Sequence, residues 1–73
     1  MITNALAIAV KAIEDQSEYI EVIKAEIIQK DETETVTVDV DFLILKSKNN
    51  TYERYTGRVR VKNYLVITLV LIA

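Results

Sequence analysis

"EDQSEYIEVIKAEIIQK", residues 14–30, admits two readings, and the fold turns on the choice between them. As a helix continued from residues 3–15, it keeps Ile20, Ile23 and Ile27 in phase with Ile13. As a strand, it places Tyr19, Ile23, Ala25 and Ile27 on one face, with Glu21 an awkward member among them. Residues 20–28 hold the β-branched Ile20, Val22, Ile23, Ile27 and Ile28, and an unbroken helix would be more than twice the usual length. The strand, over residues 18–29, is therefore preferred. It predicts an α+β domain in which one N-terminal amphipathic helix packs on a four-stranded antiparallel meander. The alternative is a longer helix over a three-stranded sheet.

Upstream, Leu6, Ala9, Val10 and Ile13 recur at helical spacing, Ala5, Ala7 and Ala12 add propensity, and Thr3 or Asn4 is placed to cap the first turn. Downstream, "TVTVDVDFLI" alternates cleanly. Val36, Val38, Val40, Phe42 and Ile44 take one side, and Thr35, Thr37, Asp39 and Asp41 the other. "KSKNN" reads as a turn. "TYERYTGRVRV" then puts Tyr55, Gly57, Val59 and Val61 on one side and Arg54, Thr56, Arg58 and Arg60 on the other.

Charge suggests a register. Setting Val40 opposite Val59 and Val38 opposite Val61 brings Asp39 to Arg60, Asp41 to Arg58 and Lys46 to Glu53, read here as outer-side pairs. Asp39, Asp41, Arg58 and Arg60 are thus read as structural charge pairs. A first hairpin turning at Asp31–Glu32 would set Lys24 opposite Asp39.

The chain closes on "NYLVITLVLIA", with no charge after Lys62. The run is about half the ~20 apolar residues a membrane-spanning helix needs, and its Val, Ile, Leu and Thr content favours a strand. A hairpin at Lys62–Asn63 pairs Val66 with Val59 and Thr68 with Gly57 under the helix. Leu65, Ile67, Leu69 and Leu71 then lie on the outer face, joined by Leu43, Leu45, Ile20 and Val22. One short helix covers only one face of such a sheet. A stripe that size exceeds what monomers usually expose and predicts a homodimer. An apolar ending is also what a chain running on into a further element would show.

Composition narrows the chemistry. Seventy-three residues make one domain, residues 1–73, with 51% hydrophobic and 27% charged residues and a net charge of −2. Neither Cys nor His is present, so disulfides are excluded and the usual zinc ligands and acid–base groups are missing. No cofactor and no catalytic or metal residues are expected. Ser17 and Ser47 have no identifiable base, and Asp39-x-Asp41 is read as neutralised by arginine rather than as a magnesium site. Arg58, Arg60 and Lys62 form a basic row, but neighbouring aspartates cancel its field, so no nucleic-acid partner is expected. "ALAIAV" lacks a basic lead and is too short for a secretory core. No targeting or membrane segment is expected, and a cytoplasmic location is the default.

The stretch "YIEVIKAEIIQKDETETVTVDVDF" resembles the helix-wrapping strands of small cystatin-like and nuclear-transport-factor-like domains. The resemblance implies a curved sheet around one helix. The inhibitory loops of cystatins have no counterpart, and no functional residue carries over. A sheet of that shape can enclose a pocket, here lined by Tyr19, Glu21, Phe42, Tyr55 and Tyr64, with Glu21 pointing inward. The expectation is a non-catalytic protein-interaction or structural module that works as a homo-oligomer with a further protein partner. By size alone, small phage-type or accessory proteins look like this. The alternative is a small-molecule-binding domain.

Overall fold

The computed structural model describes residues 2–46 and 49–73, with side chains from residue 4 onward. It contains helix α1 (Ile2–Glu14) and strands β1 (Ile20–Lys30), β2 (Val36–Lys46), β3 (Thr51–Lys62) and β4 (Leu65–Leu71). The strands form one antiparallel sheet in the order β1-β2-β3-β4, with α1 packed against one face. The strand reading of residues 18–29 therefore holds, and the longer helix does not form. The molecule is elongated, 45 × 19 × 17 Å.

Helix α1 meets the sheet through Ala5, Ala9 and Ile13, all buried and one turn apart, with Leu6 and Ile8 flanking them. Two alanines on this line let the helix backbone approach closely. At Ile13 the sheet yields instead: a Cβ on Gly57 would lie 2.7 Å from Ile13 Cδ1. Asn4 falls inside the helix rather than before it, and Thr3 lies outside the described side chains. Val36, Val38, Val40 and Phe42 of β2 and Val59 and Val61 of β3 complete the core, on the faces their alternation predicts.

The β2–β3 register departs from the charge-based expectation by two residues. Val38 faces Val59, Val40 faces Gly57, Asp39 faces Arg58 and Asp41 faces Thr56. A two-residue slip preserves every face. It sets the smallest residue, Gly57, opposite Val40 and beneath Ile13.

β1 is where the expected faces fail. Ile20 and Val22 face the core with Ala25 and Ile27 because the register to β2 shifts between Val22 and Lys24; a second shift follows between Ile27 and Gln29. Each shift is a bulge at an extra residue, Ile23 and then Ile28, and each resets which face follows. Ile20 and Val22 are thus core residues rather than part of the outer stripe. Glu21 lies opposite Leu43 on the outer face, exposed, and not inward beside Phe42. Lys24 faces Asp41 instead of Asp39.

The connections follow local chemistry. In the β1–β2 loop, Asp31 Oδ1 accepts hydrogen bonds from the Thr33 hydroxyl (2.6 Å), Thr33 N–H (2.8 Å) and Thr35 N–H (3.1 Å), and Glu34 takes a left-handed backbone with φ 66°. Asn50 is also left-handed, φ 53°, in the β2–β3 turn, whose Ser47 and Lys48 lie outside the described residues. The β3–β4 turn is Asn63–Tyr64, one residue later than expected, with φ 52° and 65°. Positive φ at both central residues is the type I′ pattern that matches strand twist.

Candidate functional site

β4 forms the apolar edge of the sheet. Lys62 faces Leu65 and Val61 faces Val66, but the register then shifts and Arg60 faces Thr68. Ile67 is the bulged residue. Beyond it the faces exchange: Leu69 and Leu71 turn toward the helix side, opposite Val59 and Gly57, while Thr68 and Val70 turn outward, opposite Arg60 and Arg58. Of the expected interface, Leu69 packs against the core and Leu71 shares its face. Leu65 and Ile67 stay exposed, and Leu43 and Leu45 lie half-buried on the outer face of β2. Val70 and Ile72, absent from the expected set, are exposed. Their outward placement depends on the bulge, which no residue type near Ile67 announces.

As an edge strand, β4 has one side of its backbone unpaired within the described residues. Its exposed apolar side chains run nearly unbroken: Leu65 at 70%, Val66, Ile67, Val70 at 55%, Leu71 at 54% and Ile72. No charge interrupts them. Pairing to β3 continues past the strand, with Ile72 N–H donating to the Thr56 carbonyl at 2.9 Å and Thr56 N–H to the Ala73 carbonyl at 3.0 Å.

The outer face beside β4 is polar and already paired. Arg58 makes a two-pronged contact with Asp39, Nε to Oδ1 at 2.9 Å and Nη2 to Oδ2 at 3.0 Å. Asp41 accepts from the Thr56 hydroxyl at 2.7 Å and from Arg54 Nη2 at 3.1 Å. Those two bonds, Thr56 first, hold the Asp41 carboxyl below its ordinary pKa. The expected Asp39–Arg60 and Asp41–Arg58 pairs are replaced by these, and Arg60 lies opposite Thr37. Lys46 and Glu53 do meet, at 2.9 Å, but on the side of the sheet shared with Ile44 and Tyr55. The Tyr55 hydroxyl donates to Glu53 at 2.6 Å; that bond, and then Lys46, lower the Glu53 pKa, while the bond to Glu53 raises that of Tyr55. Ion pairs on a solvated sheet face stabilise little, and Asp39 can meet an arginine at either Arg58 or Arg60, so this face neither sets the register by itself nor adds much stability. Among the described residues, no group of three or more carboxylates could hold a metal ion.

The expected pocket is not assembled. Phe42 is buried and stacked on Tyr55 at 5.8 Å, and Glu21 is on the opposite face. Tyr19 is exposed at the β1 start, where its carbonyl accepts from Leu45 N–H, while Tyr64 sits in the β3–β4 turn at the other end of the sheet. A half-open cleft of about 250 Å³ lies at Tyr64's end. Ala5, Ile8, Val36 and Val61 line its floor, and Lys30, Glu34, Asn63 and Tyr64 its rim. Composition held no sign of it, since three separate turns or helix ends converge there.

Fold and surface thus define a small α+β domain, one helix on a four-stranded antiparallel sheet, with an open apolar edge. No protein-family model, no curated protein and no solved structure matches the chain significantly. No helix of the described residues is long and apolar enough to cross a membrane.

Proposed function

We propose that this chain is a non-catalytic protein-interaction module that works as a homo-oligomer through the apolar surface of β4. The observation that carries the reading is the charge-free run of exposed side chains along an open sheet edge, residues 65–72. Fully burying a Val, Leu or Ile contributes about 1.5–3 kcal/mol, so covering the exposed half of Ile67, Val70, Leu71 and Ile72 is worth roughly 3–6 kcal/mol per chain. The fold itself is stable by about 4–11 kcal/mol at this length. A surface comparable in weight to the fold favours association. Two copies together recover a sum of the order that association costs.

Light scattering on a sizing column, over a hundredfold range of concentration, tests the reading. A mass near 17 kDa (about twice the 8.3 kDa chain) is expected. A mass of one chain throughout the range would sink it.

A second reading rests on the cleft beside Tyr64. Its apolar floor and its ammonium, carboxylate and phenol rim suit a small amphipathic ligand. A rise in thermal midpoint with one member of a metabolite panel, abolished by Ile8→Trp, supports it. A flat response across the panel removes it.

A further inference from the structure

We infer that the occupant of the β4 edge is a second copy of this chain, paired antiparallel about a twofold axis beside Val70, so that two four-stranded sheets fuse into one of eight strands. This deepens the homo-oligomer reading above and rests on it. The first support is the contrast between the two edges. β1 carries Glu21, Lys24, Glu26 and Lys30, all exposed, and is broken by two bulges, which are the usual devices against strand addition. β4 carries neither charge nor proline in Leu65–Leu71. A charged partner strand would find no counter-charge on it, whereas its own copy meets it apolar to apolar.

Backbone geometry selects the register. Ile72 donates its N–H to Thr56 across the Gly57–Leu71 pair, so Leu71 and, two residues back, Leu69 turn their own N–H and C=O to the open edge. A twofold axis at Val70 sets Leu69 opposite Leu71 of the second copy and the reverse, so both residues exchange both backbone bonds with their partners. Centring the axis on Leu69 would instead bring Leu71 against the bulged Ile67, where the ladder is interrupted. With the axis at Val70, the two Val70 side chains meet on the outer face at a non-hydrogen-bonded pair. Leu69 and Leu71 meet on the helix side, and Thr68 meets Ile72. Residues 54–55% exposed in one chain, Val70 and Leu71, become the centre of the seam.

Disulfide trapping tests it cleanly, because the chain has no cysteine of its own. Facing residues at a non-hydrogen-bonded site lie about 4.5 Å apart at Cα, inside the range a disulfide spans. Val70→Cys is therefore expected to form a covalent dimer under mild oxidation at low protein concentration. It should do so at least roughly tenfold faster than Leu65→Cys on the same strand or Ile28→Cys on the β1 edge, neither of which the axis brings to its own copy. Light scattering of the unmodified chain is run alongside. A two-chain mass with all three variants cross-linking at one slow rate would overturn the seam and leave the homo-oligomer reading standing. A one-chain mass would overturn both. A two-chain mass with Val70→Cys fastest supports both.

Discussion

β1 and β4 are the two open edges of one sheet, and they handle exposure in opposite ways. β1 alternates charge with apolar residues and breaks its ladder at Ile23 and Ile28, so its unpaired backbone is bent and guarded. β4 breaks once, at Ile67, and has no charge from Leu65 onward. The bulges serve different ends. In β1 the bulge at Ile23 brings Ile20 and Val22 into phase with Ala25 and Ile27, so the core depends on it. In β4 the bulge turns Leu69 inward and leaves Val70 and Ile72 outward, so mainly the surface depends on it.

Charging a core-phase residue on each edge puts that difference to its hardest test. Val22→Asp sets a carboxylate opposite Phe42 in the core. Losing a partly buried aliphatic and burying a carboxyl should cost about 3–5 kcal/mol, enough to unfold much of the population. Leu69→Asp makes the same exchange on a strand already half exposed, and should cost only about 1–2 kcal/mol. Urea unfolding midpoints measure both. Equal costs, or a larger one at Leu69, would break the distinction between a core-setting and a surface-setting bulge.

The same bulges explain how far the fold could be read in the sequence. β2 and β3 were legible because nothing interrupts their alternation from Val36 to Ile44 and from Tyr55 to Val61. Core residues of β1 fall at 20, 22, 25 and 27, a mixture of twos and threes that imitates helical spacing. The helical phase of Ile20, Ile23 and Ile27 runs through the bulged Ile23, and the same bulge is why the correct choice still misplaced Ile20, Val22 and Glu21. Charge could not set the β2–β3 register, since Asp39 finds an arginine whether Arg58 or Arg60 lies opposite. An apolar surface at the C-terminal strand was legible, but its members were not. Leu69 and Leu71 were expected outward and Val70 was passed over, because one unannounced residue exchanges the faces.

Giving β4 the guard that β1 already has is the next test. Val70→Lys places two ammonium groups across the inferred twofold axis. It should raise the dimer dissociation constant at least about 100-fold, some 2.7 kcal/mol, without lowering the thermal midpoint of the monomer. The reverse exchange, Lys24→Val with Glu26→Val on β1, should create a second open edge and assemblies larger than two chains. Sedimentation velocity reads both. Were Val70→Lys to associate like the unaltered chain, the edges would not differ in the way their charges suggest.

Acid should separate the edge from the fold. Asp41 is held below its ordinary pKa by the Thr56 hydroxyl and Arg54, Asp31 by the Thr33 hydroxyl and Thr35 N–H, and Glu53 by the Tyr55 hydroxyl and Lys46. Each folded pKa is depressed relative to the unfolded chain. The resulting stability is fully present above the ordinary values of 3.8 for Asp and 4.5 for Glu, and is lost as pH falls through the lower folded values. Unfolding midpoints should therefore hold steady down to about pH 5 and decline below it. Asp41→Asn should differ most from the unaltered chain above that range and converge with it in acid. Residues 65–72, by contrast, carry no titratable side chain. Association through β4 should change less than about twofold between pH 7 and pH 5, where nothing at the seam gains a proton. A steep pH dependence of association in that window would place charged groups at the interface. It would take the contact away from the β4 edge.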